Sequence, residues 1–117
     1  MNLNYYVIPG LEHKQGFAFN VLTDIEKTNK IKDKIIEREN VSHNLFMSKN
    51  RSSAVTFCRF VFYRLCRKHT KISLIQLGYL TNRDHTSVMN GLKRLQDLID
   101  TEHKTREKVE YYERLFA

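Results

Sequence analysis

The chain has 117 residues and a formal net charge of +7, with 41% apolar residues, 28% charged residues, one proline and four glycines. That length supports one hydrophobic core and not two, and that balance of apolar and charged residues excludes disorder as the default. No run approaches the roughly 18 apolar residues of a membrane span, and the opening MNLNYYVIPG has neither the basic nor the apolar region of a secretory signal, so a cytoplasmic chain with no membrane partner is expected.

In chain order, Tyr5 to Ile8 precede Pro9 and Gly10, and Phe17, Phe19 and Val21 follow, a pattern that predicts a short extended segment and a loop over residues 1–21. Beyond residue 16 there is little glycine or proline punctuation, which predicts a mainly α fold, a helical bundle. Thr23 or Asp24 is the natural N-cap of a helix running to about residue 39, with Ile25, Ile31, Ile35 and Ile36 as its apolar stripe. Val41 to Ser53 reads as a loop or arm that packs through Leu45, Phe46 and Met47.

A strong helix follows from about Ala54 to His69. Its apolar residues Ala54, Val55, Phe57, Cys58, Val61, Phe62, Leu65 and Cys66 cover more than one face, as in a central helix, and leave Arg59, Arg64 and Arg67 for the rest. Ser73 then caps a short helix through Leu74, Leu77 and Leu80, and Thr81, Asn82 and Arg83 form a tight connection. Asp84 caps the next helix, which buries Val88, Leu92, Leu95 and Ile99 at helical spacing, with Met89 also assigned to the core. A last helix over about 102–116 buries Val109, Tyr112 and Leu115 or Phe116. Tyr111 and Tyr112 read as packing residues. Residues 1–47 are thus expected to be an N-terminal extension with one helix packed on the core, and residues 48–117 the main domain.

The charge is unevenly placed. Residues 1–39 hold six basic and six acidic side chains and residues 84–117 hold six and seven, whereas Lys49, Arg51, Arg59, Arg64, Arg67, Lys68, Lys71 and Arg83 lie between them with no acid. An acid-free basic stretch suits a polyanion, because carboxylates there would repel phosphate. A merely solubilising surface is the alternative.

Cys58 and Cys66 sit about 12 Å apart along a helix axis, too far to pair with each other, and read as reduced core residues. His13, His43, His69, His85 and His103 have no ligand spacing, so no metal and no cofactor is expected. His85 and Ser87 on one helical turn cannot align as base and nucleophile, so no catalytic residue and no enzyme activity is expected.

A short helix, a three-residue connection and a second helix with small polar residues in its first turn form a helix-turn-helix pattern. In such a unit the first turn of the second helix enters the major groove, where Asp accepts from cytosine, Thr offers thymine a methyl beside its hydroxyl, and His donates or packs on a thymine methyl.

The string Asn82-Arg83-Asp84-His85-Thr86-Ser87-Val88-Met89 resembles the R-D-H-T-T-V-(M/L)-H signature of the C-terminal DNA-binding domain of the bacterial replication initiator DnaA. Arg59, Val61, Leu65, Cys66, Arg67, Thr70, Ser73, Leu74 and Gly78 also fit that pattern, and the resemblance spans about residues 49–97. It implies an all-helical domain with a Trp-repressor-like helix-turn-helix. It places Asp84, His85 and Thr86 on bases, and Arg67, Ser73, Leu74, Arg83 and Ser87 on phosphate or the groove edge.

Three departures stand out. The turn between Gly78 and Arg83 is one residue shorter, Ile75 replaces a proline, and Phe57 stands where the family inserts an arginine into the minor groove. Lys49 and Arg51 form the basic arm that could take over that contact. No G-x-x-x-x-G-K-(S/T) loop occurs, so the ATPase module of the initiator is not expected.

The expected function is sequence-specific binding of double-stranded DNA, in replication control or transcription of a phage or other mobile element. The rival is a protein-interaction or RNA-binding module whose basic face meets an acidic partner. A replication protein as partner and the oligomeric state are left open.

Overall fold

Six helices make up a computed structural model that describes residues 16–117, with side chains from Asp24 onward. They are α1 (Gly16–Arg38), α2 (His43–Met47), α3 (Ser53–His69), α4 (Leu74–Leu80), α5 (His85–Thr101) and α6 (His103–Leu115), with no strand among the described residues. The mainly helical reading therefore holds.

The central place of α3 follows from its composition. Val55, Cys58, Val61, Phe62, Tyr63, Leu65 and Cys66 are all buried, and α3 touches each of the other five helices. Against it pack Ile31 and Ile35 from α1, Phe46 from α2, Leu77 from α4, Val88 and Leu95 from α5, and Val109 and Tyr112 from α6. Burying each large apolar side chain contributes roughly 1.5–3 kcal/mol, so the fold rests on this single cluster. Both cysteines are free and buried, and burial pushes their thiols up to about 12, so neither is a nucleophile.

Several elements differ from the sequence reading. α1 begins at Gly16, not at Thr23 or Asp24, so residues 16–21 are helical and not extended; the rest of the expected extended segment lies outside the described residues. The alternation of Phe17, Phe19 and Val21 suggested a strand, but extending an existing helix costs little once it is nucleated. α1 ends where Asn40 turns left-handed (φ 57°) and Val41 donates its N–H to the Ile36 carbonyl.

The supposed loop from Val41 contains α2, capped by Ser42, whose hydroxyl accepts from the Leu45 N–H at 3.1 Å. Of its three expected anchors, Phe46 is fully buried with its ring edge-on to Phe62, Met47 is half-buried and Leu45 is exposed. Ala54 is exposed at the start of α3, where no helix covers it, and Phe57 is only half-buried. On α5, Val88 and Leu95 are buried, Leu92 and Ile99 are half-buried, and Met89, expected in the core, is 49% exposed. It sits on the far side of α5 from α3.

At the C-terminal end Phe116 packs on the core and Leu115 is exposed. The paired tyrosines are packing residues, as expected. The Tyr112 hydroxyl donates to the Glu39 carboxylate at 2.7 Å, and Arg38 stacks over the Tyr111 ring at 4.0 Å, which ties α6 to the end of α1.

Candidate nucleic-acid interface

The α4–turn–α5 unit is held by local chemistry that the sequence encodes. Ser73 accepts from the Gln76 N–H at 3.1 Å while the Gln76 side chain accepts from the Ser73 N–H at 2.9 Å, a complete capping box that starts α4. α4 ends at Thr81, which is fully buried; its hydroxyl donates to the Leu77 carbonyl at 2.9 Å and shares a 2.9 Å hydrogen bond with the Tyr63 hydroxyl of α3. Asn82 then adopts φ 55°, a left-handed conformation that asparagine tolerates better than most residues. This closes the turn between α4 and α5.

Gly78 makes the tight return possible. The Arg83 N–H reaches the Gly78 carbonyl at 2.7 Å, and a Cβ on Gly78 would stand 2.4 Å from the Arg83 carbonyl oxygen. Only a residue without a side chain fits there.

Asp84 caps α5 as expected: its Oδ1 accepts from the Ser87 N–H at 2.7 Å. Hydrogen bonds from the Ser87 backbone and side chain hold the Asp84 carboxyl below the usual range, so it stays an acceptor at neutral pH. Asp84, His85 and Thr86 are exposed, and Ser87 is half-buried. Asp84 and His85 line a shallow groove of about 460 Å³ with Arg83, Asn82 and the exposed Ile75 and Tyr79 of α4.

A second cleft, of about 340 Å³, lies between α3 and the start of α5 and brings Arg51, Arg83 and Ser87 together with Thr56 and the edge of Arg59. No carboxylate lines it. Phe57, by contrast, lies under the Lys108 ammonium at 5.2 Å, facing α6. Arg51, on the segment just before α3, thus shares a cleft with Arg83 and with Ser87 of the first turn of α5.

Arg59 is the main correction to the basic face. Sequence pattern counted it as a surface cation, but it is 4% exposed and donates to the carbonyls of Phe46 (2.9 Å), Asn50 (2.6 Å), Leu45 (3.1 Å) and Ser48 (2.6 Å). Burial, and then the neighbouring Arg83 charge, lower its pKa. Arg83 also donates to the Ser48 carbonyl, at 3.0 Å. Two arginines thus hold the turn that carries Lys49 and Arg51, and no spacing signal in the sequence marks Arg59 as their anchor.

The remaining residues are more dispersed. Lys49 and Arg67 are exposed, Arg67 in the last turn of α3; Ser73 and Leu74 open α4 without lining either groove. Arg64 and Lys68 turn toward α6, where both approach Glu113. Ile75 drew notice only as a replacement for the family's proline and Tyr79 not at all, although their spacing of four on a short helix places them together off the Leu74–Leu77 stripe. Among the described residues no group of His, Cys, Asp and Glu could hold a metal ion, and no helix is long and apolar enough to cross a membrane.

A family model described as the bacterial DnaA protein helix-turn-helix matches residues 28–95. The match reaches back into α1, beyond the stretch legible from motifs. Among curated proteins the chain is similar to the chromosomal replication initiator protein DnaA of Oenococcus oeni, 35% identical over 103 residues that cover 86% of this chain and 22% of that protein. The protein of the same name from Tropheryma whipplei (strain Twist) is 29% identical over 105 residues, covering 90% of this chain and 20% of that protein. The one from Roseiflexus castenholzii is 29% identical over 110 residues, covering 89% and 23%. The chain spans about a fifth of the length of these relatives. With more than half of the chain inside the family model and its turn, caps and exposed first helical turn in place, the chain belongs to the bacterial DnaA helix-turn-helix family.

Proposed function

We propose that the chain binds double-stranded DNA sequence-specifically and acts in the control of replication initiation. The observation that carries this reading is the first turn of α5. His85 and Thr86 present free tips to solvent beside the exposed cap Asp84 and an acid-free cleft of arginines, while the opposite side of the helix is locked into the core by Val88 and Leu95. In this reading Asp84, His85 and Thr86 meet base edges in the major groove. Arg67, Ser73, Leu74, Arg83 and Ser87 meet phosphate or the groove edge, and Lys49 and Arg51 enter the adjacent minor groove.

The whole initiator's activity does not transfer to a chain that spans a fifth of it. The relatives named above are chromosomal initiators, and they do not speak for a phage or mobile element or for a transcriptional role. The exposed Ile75 and Tyr79 favour a second reading, a replication protein docked on α4. Selection of bound sites from a pool of random duplexes separates the two. Enrichment of one short motif supports base reading; a pool that stays random at every round overturns it.

A further inference from the structure

Beyond the first turn, α5 carries two residues that its own folding does not explain. Met89 is a large apolar side chain left 49% exposed, and Asn90 is an exposed, poor helix former in a helix interior whose side chain makes no hydrogen bond among the described residues. At about 100° per residue, His85, Met89, Lys93, Thr86 and Asn90 fall within an arc of about 140°, facing away from buried Val88, Gly91 and Leu95. The face that would enter the groove is therefore more than one turn deep. It ends at Lys93, because Asp97 and Asp100 follow on the same side and would repel the DNA backbone. Places where local folding rules fail on one coherent surface are where function is expected.

Resting on the duplex-binding reading above, we infer that Asn90 is a specificity-determining residue, reading an adenine outward from the bases met by Thr86, with Met89 covering the neighbouring apolar edge. Asn pairs with adenine through two hydrogen bonds, its carbonyl accepting from N6 and its amide donating to N7, and no other base offers that pattern in the major groove. Asn90 lies about 6 Å along the axis from Thr86, which puts its base one or two steps farther along the site.

The test is site selection from random duplexes with the full 117-residue chain, run in parallel with Asn90→Ala, Asn90→Gln and Thr86→Ala. Asn90→Ala improves helix propensity, and circular dichroism checks that the fold is kept. It is expected to lower the preference for adenine at one position about tenfold or more, leaving the other positions unchanged, while Asn90→Gln keeps part of that preference. A selected motif identical to wild type at every position for Asn90→Ala overturns the inference. If Thr86→Ala alters the wild-type motif and Asn90→Ala does not, only the role of Asn90 falls. If the wild-type chain selects no motif, the duplex-reading proposal falls with it.

Discussion

Thr86 and His85 are exposed, so truncating them tests recognition without disturbing the core. Each change to alanine is expected to cost about 1–3 kcal/mol on the preferred duplex and little on random duplex, with the melting temperature unchanged. Fluorescence anisotropy on both duplexes measures the ratio. Asp84 has a second duty, because it caps α5. Its folded carboxyl is held low, so its stabilising effect is present above the unfolded carboxylate pKa and is lost as pH falls through the lower folded value. Asp84→Asn keeps the cap but removes that acid-side loss, which thermal melts from neutral to acid pH will show. Gly78→Ala drives a Cβ into the Arg83 carbonyl, a backbone atom that cannot rotate away, and is expected to destabilise by about 1–3 kcal/mol. The bases of these expectations were unequally legible. The Asp84 cap and the exposure of His85 and Thr86 were readable because a cap and the first turn after it have a fixed place in a helix. Arg59 and Met89 were not, because burial of a cation and exposure of an apolar side chain depend on partners remote in sequence.

The same contrast holds for elements. α3, α4 and α5 were legible nearly to the residue, α4 and α5 from their N-caps Ser73 and Asp84 and α3 from its dense run of apolar residues. α2 was not, for five residues are too few to show a period, and what keeps it helical is the insertion of Phe46 beneath Phe62. The turn between α4 and α5 was read as tight, but its pin to α3 through Tyr63 and Thr81 joins residues 18 apart and leaves no local trace. Tyr63→Phe is expected to cost about 1 kcal/mol, measurable by urea denaturation, because the buried Thr81 hydroxyl keeps its bond to the Leu77 carbonyl. Arg59→Met is the harsher change. It strips four carbonyls of a charged donor and is expected to cost at least about 2 kcal/mol, with Lys49 and Arg51 losing their fixed position.

For the whole molecule, the excess of positive charge narrows once the partners of each cation are known. Arg59 is buried on carbonyls and Arg64 and Lys68 lean on Glu113, which leaves Lys49, Arg51, Arg67, Lys71 and Arg83 of the central set for phosphate. The logarithm of the duplex binding constant should then fall with the logarithm of salt concentration at a slope of about −4.5. A slope near zero in a salt titration would rule out a phosphate-based interface.

One atom joins the segment before α3 to the turn before α5. The Ser48 carbonyl accepts from both Arg59 and Arg83, so the segment bearing Arg51 and the helix bearing Thr86 are riveted to a common point. If Arg51 and Thr86 meet the duplex as proposed, the molecule is a caliper with its jaws set at one gap. A site lengthened by a single base pair between its minor-groove and major-groove contacts cannot be gripped at both ends. It should be bound no better than a duplex offering either half alone, and Arg83→Ala, by loosening one rivet, should narrow the penalty between the two spacings.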